Sequence, residues 1–124
     1  MRWTVLASLA GLAAQPALAH HSVAAMYDRD KTVEIEGVLS KVNVQNPHTM
    51  MEVTVRGTDG KPAVWTLESR GAAGMERMGF QADTLRIGEV VKVKGAPARQ
   101  GERQLWLNTL EARGGKTFDF SFRR

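Results

Sequence analysis

Val33 and Ile35 alternate with Glu34 and Glu36, and a period of two returns in later segments, which commits most of the chain to β-sheet. After Ile35 the apolar positions Val38, Val42 and Val44 fall in the opposite phase, with Gly37 at the slip. A glycine where alternation shifts by one residue predicts a β-bulge, which lets a long strand bend and serve both sides of a small barrel. Asn46-Pro47 ends that strand, because proline donates nothing to a ladder and drives the residue before it toward an extended conformation. A second strand starts at His48, with Met51, Val53 and Val55 on the core face and His48, Met50, Glu52 and Thr54 on the other. Asp59-Gly60 within Thr58 to Lys61 marks a hairpin turn into a third strand, Ala63 to Glu68, which points Trp65 and Leu67 one way.

Gly71 to Phe80 breaks the alternation: Met75, Met78 and Phe80 predict a short helix plugging one end of the sheet. Leu85 to Gly95 is a turn feeding a strand with Val91 and Val93 inward, Arg99 to Glu102 is a loop, and Leu105 to Leu110 is a fifth strand. Phe118, Phe120 and Phe122 alternate in the tail, as an edge strand or as a drape over the barrel. Three strands, one short helix and two strands give a mainly β fold, a five-stranded OB-like Greek-key barrel. That architecture fixes no function, which must come from the site.

Ahead of the barrel, Arg2, an uncharged stretch from Trp3 to Ala14, and Ala17-Leu18-Ala19 form the three parts of a signal peptide cleaved after Ala19. The apolar stretch is roughly half of the ~20 residues a membrane-crossing helix needs, so no span is expected after cleavage. The organisation is then a signal peptide over 1–19, an arm over 20–31 and one barrel domain over 32–124, in the periplasm or secreted. With no cysteine in the sequence, thiolate chemistry, a lipid anchor and disulfide staples are excluded. The formal charge of +4 drops to about +3 when Arg2 is lost, and Lys, Arg, Asp and Glu alternate along the chain. Basic blocks interleaved with aromatics are missing, so nucleic acid is not an expected partner.

Chemistry concentrates in the three histidines, which fall in two places: His20-His21-Ser22 at the new N-terminus and His48 after Asn46-Pro47. Cleavage would give His20 a free amine that binds a metal ion together with its own ring, and His48 would add a third nitrogen. Such donors suit Cu(II) over Zn(II) and Ni(II), while a thioether such as Met50 holds Cu(I). The metal ligands expected are therefore His20 and His48, with His21 and Met50 as auxiliaries. The competing reading is plainer: terminal histidines make a mobile polar start, and a turn histidine bonds to backbone.

Other candidates are weaker. Glu34, Glu36 and Glu52 read as a solvated strand face, and Ser22, Ser40 and Ser69 lack a nucleophile signature. Gly71 to Gly74 is followed by no phosphate-loop lysine, and Trp65 and Trp106 fit a barrel core better than a sugar platform. No catalytic residues are assigned.

Taken together, His20-His21-Ser22, Tyr27-Asp28, the strand from Val33 to Val44 with Gly37, Asn46-Pro47-His48, Trp65 and Leu85 to Gly95 resemble the DUF6152 family, small exported bacterial proteins of unknown function. The chain departs from the commoner pattern at Val23, at Val44-Gln45 and at Glu89, which thins any aromatic wall near His48. The resemblance implies an exported location and pairs the two histidine motifs, as a metal site needs. The expected function is a periplasmic protein binding copper; its alternative is a metal-independent module binding a periplasmic protein or an envelope glycan.

Overall fold

The computed structural model describes residues 21–101 and 103–122, so the expected signal peptide and His20 lie outside the described residues. The elements are α1 (His21–Met26), β1 (Val33–Asn43), β2 (Thr49–Arg56), β3 (Pro62–Ser69), α2 (Ala72–Arg77), β4 (Val90–Pro97), β5 (Gln104–Ala112) and β6 (Thr117–Asp119). Neighbouring strands follow the order β3-β2-β1-β4-β5-β6. A parallel pairing of Thr66, Leu67 and Glu68 with Gln104, Leu105 and Trp106 joins β3 to β5. That contact closes a mainly β, five-stranded, OB-like barrel, with α2 between β3 and β4 as the pattern implied and β6 added at the edge of β5.

The barrel is filled as the alternation dictates. Met51 and Val53 from β2, Leu67 from β3, Val91 and Val93 from β4, and Leu105 and Leu107 from β5 are all buried in one cluster. Met75 of α2 and the following Phe80 plug one end, where Phe80 meets Phe118 and Phe120 edge to face at 5.3 and 5.7 Å. The tail is thus an edge strand whose first two phenylalanines belong to the core.

The bend in β1 differs from the expected one. Val33 to Val38 pairs with β4 without interruption, and the register slips instead against β2, between Leu39 and Lys41. The inward phase therefore runs through Leu39, which is fully buried, while Val38 is 41 % exposed. Gly37 serves a close approach: a Cβ there would lie 2.4 Å from the Thr54 carbonyl oxygen of β2.

The arm carries a short helix and is seated on the barrel. Tyr27 is 1 % exposed and bridges Ala98, Asp28 N–H donates to Pro97 C=O at 2.9 Å, and Arg99 N–H donates to Met26 C=O at 2.8 Å. Leu105 and Leu107 point into the barrel, so Trp106 between them faces outward, where it forms a second cluster with Tyr27 and Ala96, flanked by Val23 and Ala98. The arm roofs this outer cluster. Among the described residues no helix is long and apolar enough to cross a membrane.

Candidate functional site around His48

His48 is positioned by the turn before β2 and by the start of α2. Asn46-Pro47 is a cis peptide, Asn46 Oδ1 accepts from Ala72 N–H at 3.0 Å, and Thr49 N–H donates to Arg70 C=O at 2.9 Å. Gly71 allows this contact, since a Cβ there would stand 2.6 Å from Asn46 Oδ1 and 2.8 Å from Pro47 O. The imidazole is thereby delivered to the outer wall of the barrel, at the seam between β3 and β5.

Strand register builds the rest. Met50 of β2 lies directly across from Glu68 of β3, and Glu68 is paired with Trp106 of β5, so the three side chains share the outer face. His48 Nδ1 lies 2.6 Å from Glu68 Oε1, and Tyr27 donates its hydroxyl proton to Glu68 Oε2. Gln104 Nε2 donates to the Tyr27 hydroxyl oxygen at 2.9 Å. His48 packs edge-on against Trp106 at 5.2 Å, and Tyr27 meets the same indole at 5.9 Å. Phe122 stacks on it at 5.8 Å, with the Arg70 guanidinium 4.4 Å from the Phe122 ring and bonded to the Phe120 and Ser121 carbonyls. The arm and the tail meet at one tryptophan.

Burial matters to the electrostatics. The Glu68 side chain is 14 % exposed and that of His48 27 %, so their contact is shielded without being sealed off. Loss of water around Tyr27, and next the Glu68 carboxylate it faces, push the phenol well above the ordinary tyrosine range, so the neutral hydroxyl is held as a donor. A ring proton on Nδ1 facing Glu68 would leave Nε2 its lone pair, the form in which imidazole acts as a metal ligand or a base.

The structure brings His48 and Met50 to the same region of wall. Met50 is half-buried and lines a crevice with Lys41, Asn43, Glu52 and Thr66, across from Glu68. His21 opens α1, and His20 lies outside the described residues. Among the described residues no three His, Asp or Glu side chains converge to hold a metal ion. Glu34, Glu36 and Glu52 form exposed pairs with Lys94, Lys92 and Lys41, as a solvated face does. Trp106 is 2 % exposed and Trp65 is packed against the core, so neither offers a free face to a sugar ring.

Tyr27, Glu68 and Gln104 were not among the site residues read from the sequence. Register could have found Glu68, opposite Met50, whereas Tyr27 and Gln104 carry no local signal. Comparison with curated proteins gives no match. A family model described as a family of unknown function, DUF6152, matches residues 7–106, a span that contains His20, Tyr27, His48, Glu68, Gln104 and Trp106. The chain therefore belongs to the DUF6152 family.

Proposed function

We propose that this is an exported periplasmic protein that binds one copper ion through His48 and the amine and ring of His20, with His21 and Met50 as auxiliary donors. The carrying observation is the Glu68 carboxylate on His48 Nδ1 beneath the seated arm. Metal-binding histidines characteristically donate the other ring N–H to a carboxylate, which fixes the ring and raises the basicity of the ligating nitrogen. Tyr27 supports the same reading, because it ties the arm to that very carboxylate. In the sequence α1 runs from His21 to Met26, directly ahead of Tyr27, so the leading histidines stand just before the residue that touches Glu68. Nitrogen donors favour Cu(II), and the Met50 thioether would retain Cu(I).

Titration calorimetry with Cu(II) on a chain beginning at His20 tests this. One ion should bind, and either His48→Ala or an extra residue ahead of His20 should weaken it at least about tenfold. Absence of binding, or indifference to both changes, would contradict the reading. The alternative, a metal-independent module for an envelope protein, has one observation in its favour: Val64, Thr54, Val38 and Val90 lie in one cross-strand row, with Val64 49 % exposed. A partner retained in chelator and by His48→Ala would support that module instead.

A further inference from the structure

We infer that Tyr27 is a positioning residue for His48: the seated arm, acting through Glu68, locks the imidazole as its Nδ1–H tautomer and presents Nε2 outward. The inference deepens the metal reading and rests on it for its use, while the tautomer itself can be measured without metal.

Donor and acceptor supply sets the arrangement. Gln104 can only donate through its Nε2, and it does so to the Tyr27 oxygen, so the phenolic proton is directed at Glu68 Oε2. That leaves Oε1 to face His48 Nδ1 at 2.6 Å. A carboxylate oxygen only accepts, so the contact requires the ring to supply the proton from Nδ1. Rotation of the imidazole by half a turn would exchange Nδ1 for a carbon and strand Oε1 without a donor. Trp106, edge-on to the ring at 5.2 Å and itself held between Tyr27 and Phe122, opposes that rotation. Glu68 alone would not give the same order, since a carboxylate on a strand can turn about its last bond. Tyr27 takes one oxygen and so fixes the other.

Seating the arm therefore has a chemical consequence as well as a packing one. With Tyr27 in place, the outward ring nitrogen carries a lone pair; with it absent, Glu68 turns and the two tautomers mix. Residues 21–31 then act as a part of the site that the barrel cannot supply by itself.

Nitrogen NMR of the ring nitrogens in metal-free protein at about pH 8.5, two units above the ordinary imidazole pKa, reads the tautomer directly, with His48 identified by loss of its signals in His48→Ala. Wild type should show a protonated Nδ1 and an unprotonated Nε2. Tyr27→Phe keeps the ring against Trp106 and should shift both signals toward an averaged tautomer; Gln104→Leu should shift them the same way by less. An Nε2–H tautomer in wild type, or wild-type signals in a folded Tyr27→Phe, would overturn the inference. Cu(II) added to the wild-type sample, read as paramagnetic broadening of the His48 ring signals, separates the two claims. A locked tautomer with no metal-induced change leaves the positioning role standing and removes the metal reading. Metal-induced change at Nε2 with a tautomer indifferent to Tyr27→Phe does the reverse. If both claims hold, Tyr27→Phe should also weaken Cu(II) binding by about 10- to 100-fold.

Discussion

Removing a single oxygen from Tyr27 measures how firmly the arm is fastened. In Tyr27→Phe the ring still packs against Trp106 and Ala96, so no cavity forms and the apolar term is preserved. What disappears is a hydrogen bond to a carboxylate that is 14 % exposed, an interaction worth about 1.5–3 kcal/mol when one partner is charged. Gln104 also loses its acceptor, but it is only half-buried and can turn to water, so its share is small. A loss of about 2 kcal/mol is expected, which for a domain near 100 residues lowers the melting temperature by roughly 8–16 °C. Thermal unfolding followed by tryptophan fluorescence, calibrated against urea titration, gives the number. A double-mutant cycle with Glu68→Gln isolates the contact: the double variant should be more stable than additivity predicts by at least about 1 kcal/mol. A Tyr27→Phe protein within about 0.5 kcal/mol of wild type, or an additive cycle, would refute the claim that this phenol fastens the arm.

Three other outcomes follow from the geometry. Leu39→Ala should cost about 2–5 kcal/mol and Val38→Ala within about 0.5 kcal/mol, since only the former is inside the barrel; urea unfolding of the pair tests where β1 changes phase. Gly71→Ala forces a Cβ against Asn46 Oδ1 and Pro47 O, and should lower stability by about 1–3 kcal/mol and move the His48 ring signals in an NMR spectrum. Tyr27 is the only tyrosine, so ultraviolet absorbance reports its ionisation alone. Because burial and then Glu68 raise its folded value, the neutral phenol contributes stability below about pH 10, and that contribution is lost as pH climbs from there toward the higher folded value. Tyrosinate should accordingly appear only with unfolding, and a normal titration of the folded protein would contradict the burial argument.

The barrel was largely legible because period-two alternation is a local signal: Met51 and Val53, Val91 and Val93, and the turn at Asp59-Gly60 could be read from neighbours along the chain. The bulge was less so. Gly37 and Leu39 lie two residues apart, and only the partner strands show that the glycine answers a close approach by Thr54 while the slip occurs beyond Leu39. The outer cluster was not legible at all, since Tyr27 and Trp106 meet across most of the sequence and two adjacent residues of β5 had to serve different cores. For the same reason His48 could be singled out by its chemistry, whereas Glu68, Tyr27 and Gln104, which give it direction, emerge only from long-range pairing.

Native mass spectrometry of the processed chain, with and without Cu(II), addresses copper binding most directly, because it fixes the first residue and the stoichiometry together. A chain that begins at His20 and takes up one copper ion, with none retained by His48→Ala, is the expected result. A chain that begins elsewhere, or one that stays copper-free at concentrations where free histidine is loaded, would contradict it.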